Sequence, residues 1–317
     1  MKSQLQIYTD SEGITNMRCI KYLVEAEQNG KKIQDFLKSN HDYSSRTIVK
    51  LKQYNDGILL NGYHAKAIDH LHTGDCLEIT LREREDKGGV SNIIRSNQAV
   101  QVVYDDDDLL IYNKPPFMPV HPSCGHIHDT LCNVFATYCD KQDIDLSFRP
   151  VNRLDRDTSG AVIVAKNRHS ASRLAESCEK IYEAVVCGVP SPIIGTVNMP
   201  IKRAKEEEML RIVHSDGQPA VTHYEVLEAV ENYSFVRFKL ETGRTHQIRV
   251  HMAAIGHPLL GDTMYGIPNG LINRQALHCA RVKFIQPISG SIMQAACPLP
   301  QDILNAMIAL DFNIKEL

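Results

Sequence analysis

The sequence predicts an α+β fold built on a mixed sheet. Strand candidates follow one another in runs, and few strand–helix–strand units alternate regularly, which argues against a doubly wound sheet. The composition is that of a globular protein: of 317 residues, 43% are hydrophobic and 23% charged, enough to bury a full core and unlike a wholly disordered chain. At about 150 residues per domain the length fits two domains.

Residues 17–81 read as one small unit. Lys21 to Glu27 can form a strand, and Lys32 to Ser39 a short helix with Ile33, Phe36 and Leu37 on one face. Ser44 or Ser45 is a candidate N-cap for a helix through RTIVKLKQY, where Ile48 and Leu51, with Tyr54 beyond them, form the apolar stripe. Arg46, Lys50 and Lys52 lie outside that stripe. Asp56-Gly57 makes a turn before ILLNG, and GDCLEITL alternates as a strand does. EREDKGGVSN is polar and without periodicity, so 82–97 reads as an interdomain linker.

A larger unit, 98–317, follows. VQVVYDDDDLLIYNKP reads as strand, acidic turn, strand. GAVIVAKN, YEAVVCGVP, THYEVLEAV and YSFVRFKLETG are further strand candidates, with helical patterns at HSASRLAESCEK and THQIRVHMAAIG. The acidic run Asp105 to Asp108 is expected to be a solvated hairpin tip rather than a metal site. His121, His126 and His128 have no carboxylate or cysteine spacing that makes a metal centre, and their segment reads as a mobile polar loop.

The net charge is −3 with histidine neutral. This excludes a histone-like protein but not a nucleic-acid binder, because local patches set the binding field. No apolar run approaches the roughly 20 residues of a membrane helix, and MKSQLQIYTDSEG lacks an apolar export core. The nine cysteines are odd in number, widely spaced and without a CxxC pair, so reduced thiols in a cytoplasmic protein are expected.

Two segments concentrate chemistry. Asn152-Arg153-Leu154-Asp155-Arg156-Asp157-Thr158-Ser159-Gly160 packs two arginines and two aspartates ahead of a strand. Positive neighbours favour the charged form of a carboxylate, which can act as a nucleophile or base; by residue type alone the string serves as well as a salt-bridged turn. Gly243-Arg244-Thr245-His246-Gln247-Ile248-Arg249 leads from a strand into a helix with Thr245 as its candidate N-cap. Ile248, Met252 and Ile255 form its expected buried stripe, and Gly256 ends it. Arg244, His246, Gln247 and Arg249 gather in the first turn, where phosphate recognition and internal ion pairing are both open. NKPP with VHPS reads as rigid surface loops, and Tyr182 in KIYEAVV reads as a core tyrosine on residue type alone.

Taken in order, NKPP with VHPS, RLDRDTSG, KIYEAVV, GRTHQIRVHMAAIGHPLLGD and LHCARVKF resemble the catalytic domain of the RluA-type RNA pseudouridine synthases over about residues 98–300. Residues 17–81 resemble the S4-type RNA-binding domain that often precedes it. The resemblance implies a central mixed, largely antiparallel sheet and the isomerisation of uridine to pseudouridine within RNA, with no cofactor and no metal. Asp155 would be the essential aspartate, attacking the ribose C1′ or removing a ribose proton. Arg249 would pair with it, and Tyr182 would stack on the target base. Arg153, Lys114, Arg244 and His246 are expected RNA or loop-positioning contacts, and Arg46, Lys50 and Lys52 expected phosphate contacts of the small domain. Many members carry His where this chain has Asn152.

The expected partner is ribosomal RNA first and transfer RNA second, with a monomeric protein. Two other readings stand beside this one. One is a non-catalytic RNA-binding factor in ribosome assembly. The other is a hydrolase using Asp155 and Asp157 as an acid–base pair.

Overall fold

The computed structural model describes residues 5–6, 14–84, 90–266 and 268–313. Its elements in chain order are β1 (Leu5–Gln6), β2 (Ile14–Leu23), α1 (Ile33–His41), α2 (Ser45–Leu51), β3 (Ile58–Leu60), β4 (Tyr63–His64) and β5 (Cys76–Arg84) in the first unit. The second unit holds β6 (Gln101–Asp105), β7 (Leu109–Lys114), α3 (Leu131–Gln142), β8 (Arg149–Pro150), β9 (Ser159–Ala165), α4 (Arg168–Ser177), β10 (Glu179–Cys187) and β11 (Ile194–Asn198). It continues with β12 (Ile201–Arg203), β13 (Arg211–Val213), β14 (Val221–Val230), β15 (Tyr233–Leu240), α5 (Gln247–Ala254), β16 (Leu277–Ile285), β17 (Ile292–Ala296) and α6 (Gln301–Ala309).

The small unit is a five-stranded sheet in the order β1-β2-β5-β3-β4. Its core includes Ile20, Ile33, Phe36, Leu37, Ile48, Leu51, Leu77 and Ile79, so the expected faces of α1 and α2 are the buried ones. Ser44 caps α2, its hydroxyl accepting the Thr47 N–H. Arg46, Lys50 and Lys52 are exposed. The strand expected at Lys21 to Glu27 starts earlier and stops at Leu23, because a 3-10 turn takes Ala26–Gln28.

The expected linker also shrinks. β5 continues through Arg84, and Val90 is buried in the second core. Arg95 forks onto Asp140 of α3 through two bonds of 2.7 Å.

The large sheet runs β11-β14-β15-β10-β16-β9-β7-β6, with β17 beside β16 and β8 beside β9. It is antiparallel except where β9 meets β16, the mixed, largely antiparallel sheet that was expected. β9 is buried along its whole length, as a strand covered on both faces must be, and so reads as a continuous apolar run. Gly160 sits at φ +111, where a Cβ would lie 2.3 Å from the Cys279 carbonyl oxygen, so the β9–β16 approach requires glycine.

The acidic run is not a solvated tip. Asp106 Oδ1 accepts the N–H groups of Asp108 and Leu109 at 2.8 Å each and closes the β6–β7 turn. Asp105 pairs with Lys166, and Asp108 is 1% exposed because Arg18 of the small unit covers it. The expectation failed because a run of like charges says nothing of cations brought in from 90 residues away.

Candidate active site

Asp155 lies in the turn between β8 and β9, where the Thr158 N–H donates to its carbonyl at 3.1 Å. Asn152 is 7% exposed and braces this turn. Its Nδ2 donates to the Ala161 carbonyl and its Oδ1 accepts the Ile163 N–H, both at 2.9 Å. The side chain at the family's His position is thus a backbone clamp here.

A second brace is Arg274, 2% exposed, which binds Asp302 through two bonds and donates to the Asp157 carbonyl at 3.0 Å. Asp157 turns to Arg156, at 2.7 and 3.1 Å, and does not line the cleft around Asp155. Nothing in the geometry supports an Asp155–Asp157 acid–base pair.

Arg249 enters from α5 and is 6% exposed. Its Nε and one terminal nitrogen fork onto Asp262 at 2.7 and 2.9 Å, and the other terminal nitrogen donates to Asp155 Oδ2 at 3.1 Å. The two carboxylates raise the guanidinium's pKa against the opposing effect of burial. Asp262 is fully buried, and its Oδ1 also accepts the N–H groups of Met264 and Tyr265. Preceding Gly261 has φ +73, and a Cβ there would meet the Arg274 carbonyl oxygen at 2.2 Å. Sequence reading assigned Asp262 no role; the signal available was a GD pair shortly after the helix that carries Arg249.

α5 differs from expectation at its start. His246, not Thr245, precedes the helix, at φ +59 and with no side-chain cap bond. The helix is buried from Gln247 through Met252 rather than along a stripe. Gln247 holds the Gly243-Arg244 turn, its Oε1 accepting from Thr242 Oγ1 and the Arg244 N–H while its Nε2 donates to the Val221 carbonyl and to Thr222 Oγ1. His246 Nδ1 meets the Tyr265 hydroxyl at 2.8 Å, and Nε2 stands 3.9 Å from Asp155 Oδ2. Burial lowers the imidazole pKa despite the Asp155 charge.

Tyr182 lies on β10 between Phe238 of β15 and Cys279 of β16. A register shift occurs at Ile181/Tyr182. The ring is 7% exposed, and burial holds its phenol pKa well above the ordinary value. It lines a small pocket of about 60 Å³ with Asp155, His246 and Arg249. That pocket opens into a cleft of about 680 Å³, shared by Tyr182, Asp155, Arg153 and Arg244 and flanked by Lys180 and His121. Beyond Arg153 and Arg244 a basic groove of about 380 Å³ continues past Lys202, Arg203 and Arg211.

The structure therefore brings together Asp155, Tyr182, Arg249, His246, Arg153 and Arg244. Arg244 is exposed, with Nε donating to the Pro219 carbonyl, and Arg153 is exposed. Lys114 is corrected: as an RNA contact it fails, because it is fully buried. Its Nζ donates to the carbonyls of Pro115, Met118 and Arg156 at 2.8–3.0 Å and ties the NKPP loop to the Asp155 turn. Burial and the nearby Arg274 charge push its pKa down to about 7.

His126 bonds Asp129, His121 lies edge-on to Phe148, and among the described residues no three His, Cys, Asp or Glu side chains are grouped for a metal. No helix among those residues is long and apolar enough to cross a membrane.

This sheet, with an acid, a phenol and a guanidinium around one open cleft, has the fold of pseudouridylate synthase domains. Human RNA Pseudouridylate Synthase Domain Containing 4 superposes with a TM-score of 0.56 at 22% identity, over 67% of this chain and 94% of that one. Domain Containing 1 gives 0.52 at 28% identity, over 63% and 83%. Residues 108–254 match the family model described as RNA pseudouridylate synthase. The uncharacterised RNA pseudouridine synthase YlyB of Bacillus subtilis is 38% identical over 90% of this chain and 96% of its own length. Ribosomal large subunit pseudouridine synthase D of Haemophilus influenzae is 35% identical over 92% and 95%. The chain belongs to the RluA-type RNA pseudouridine synthases and is an isomerase acting on RNA.

Proposed function

We propose that this isomerase modifies uridine in large-subunit ribosomal RNA, acting as a cytoplasmic monomer. The carrying observation is the single bond from Arg249 to Asp155 Oδ2 at the edge of a nucleotide-sized cleft of about 680 Å³. Asp262 takes the other two donors of the guanidinium, so Arg249 aims the carboxylate through one oxygen and leaves Oδ1 for the ribose. From there Asp155 attacks C1′ and displaces uracil N1, or takes the C2′ proton as the C–N bond breaks to give a glycal. The uracil turns, C5 bonds to C1′ as the Asp155 ester breaks or the proton returns to C2′, and C5 then loses its own proton to solvent. Tyr182 supplies the stacking face that steadies the freed base.

The target must first leave its stack, at a cost of a few kcal/mol. Arg153, Arg244 and Lys180 ring the cleft as phosphate contacts. Arg46, Lys50 and Lys52 on the small, S4-like unit add sequence-independent affinity. The ribosomal assignment draws on the name of the Haemophilus relative; transfer RNA is the second choice. Mapping pseudouridines by carbodiimide-dependent reverse-transcription stops in cells with and without the protein tests it. A stop lost from large-subunit ribosomal RNA is expected, and a stop lost only from transfer RNA overturns the target.

A further inference from the structure

The acidic hairpin between β6 and β7 plays no part in the cleft, yet its carboxylates are densely bonded to both units. Arg18 of β2, 4% exposed, donates to both oxygens of Asp108 at 3.2 and 3.0 Å and pairs with Asp107 at 3.2 Å. Asp108 also accepts from Asn167 Nδ2 and Gln286 Nε2, each at 3.2 Å. A second contact lies alongside. The Tyr43 ring stacks on His169 at 4.3 Å, and Arg173 pairs with Asp42 at 3.0 Å and donates to the His41 carbonyl at 3.1 Å. Ile288 packs against the small unit's core.

All the partners on the large unit cluster at one end of the sheet. Asn167 lies just past the C-terminal end of β9, beyond Lys166, whereas Asp155 lies in the turn before its N-terminal end. Ser159 to Ala165 spans roughly 20 Å at 3.3 Å per residue. The small unit is therefore fastened at the end of the sheet away from the chemistry, and by groups too buried to be a casual surface contact.

We propose that Arg18 and Asp108, with Tyr43–His169 and Asp42–Arg173 beside them, are specificity-determining residues. They fix the small unit at a set distance from Asp155, so that the uridine modified is the one lying that far from the RNA element the small unit grips. This rests on the reading of the small unit as an RNA-binding domain. Two binding modules held rigidly raise the effective concentration of the second contact only for RNA of matching geometry, and the gain disappears when the geometry is lost.

The test compares the wild type with the double variant Arg18→Met/Asp108→Asn, which leaves no orphan buried charge, and with Arg173→Ala at the rim. Small-angle scattering is expected to show both variants expanded. Tritium release from C5-labelled uridine is measured on a large-subunit ribosomal RNA transcript and on a short stem-loop carrying the mapped uridine. On the stem-loop, kcat/KM should stay within about twofold of wild type. On the transcript it should fall at least about tenfold, or pseudouridine should spread to neighbouring uridines. Unchanged scattering, or expanded variants that keep the wild-type rate and map, would overturn the proposal. The triple variant Arg46→Ala/Lys50→Ala/Lys52→Ala separates the two ideas. If it modifies the transcript like wild type, the RNA-binding reading itself fails. If it is impaired while the clamp variants are not, only the fixed-distance proposal fails.

Discussion

Arg249 and Arg18 are the same device in two places. Each is an arginine almost closed off from solvent, held between two aspartates, with one partner forked and the other touched by a single nitrogen. At Arg18 it is the forked carboxylate, Asp108, that is sealed, its side chain 2% exposed, with further donors from Asn167 and Gln286. At Arg249 the forked carboxylate, Asp262, is likewise sealed, but the singly held one, Asp155, is 26% exposed at its side chain and faces a cleft. The difference is the surroundings: Asp107, singly held by Arg18, is 35% exposed at its side chain but stands outside the cleft, whereas Asp155 stands in it beside Tyr182. A buried arginine–aspartate bridge costs desolvation and is by itself weak evidence of either stability or function. It becomes chemistry where the singly held carboxylate lines a cleft large enough for a nucleotide, as Asp155 does.

Breaking each bridge sharpens the contrast. Arg249→Met strands Asp262 without its ion partner and leaves Asp155 unaimed; a loss of about 3–5 kcal/mol in stability is expected, with tritium release falling to background, read by denaturant unfolding and the release assay. Arg18→Met costs about 3 kcal/mol of stability but leaves release from a short stem-loop near wild type. An equal loss of chemistry from both would erase the distinction.

Tyr182→Leu removes the stacking face while keeping bulk, and should cost about 1–3 kcal/mol in transition-state binding, about 5- to 150-fold in kcat/KM. The interface also carries a pH signature. Burial lowers the pKa of His169 to about 4, and its Nε2 has no hydrogen-bond partner among the described residues. Because the folded pKa lies below the unfolded 6.5, the unfolded chain binds more protons between pH 6.5 and 4, so stability falls on acidification through that window. His169→Phe should recover up to about 2 kcal/mol of the stability lost between pH 7 and 5, measured by denaturant melts at both pH values.

Much of the site was legible because its residues sit in short, ordered strings. RLDRDTSG, KIYEAVV and GRTHQIR each occupy one turn or strand end, and local sequence fixes such elements. What was not legible depended on distance in the chain. Asp108 needs Arg18, and Asp262 needs Arg249, which no window of neighbouring residues reveals. Helix α3 escaped for another reason: Leu131 through Ala136 are all buried, so its first half is covered all round and shows no polar face and no 3.6-residue period. For Lys114 the residue type left RNA contact and loop positioning both open, because the three carbonyl acceptors that decide for the loop come together only on folding.

The contrast between the two bridges rests on Asp155 being the carboxylate that reacts. Tritium release from a verified RNA substrate labelled at uridine C5, compared between wild type and Asp155→Asn with thermal unfolding run in parallel, addresses this most directly. The account predicts that the variant melts like wild type and releases no tritium. Release at the wild-type rate from the folded variant would contradict it.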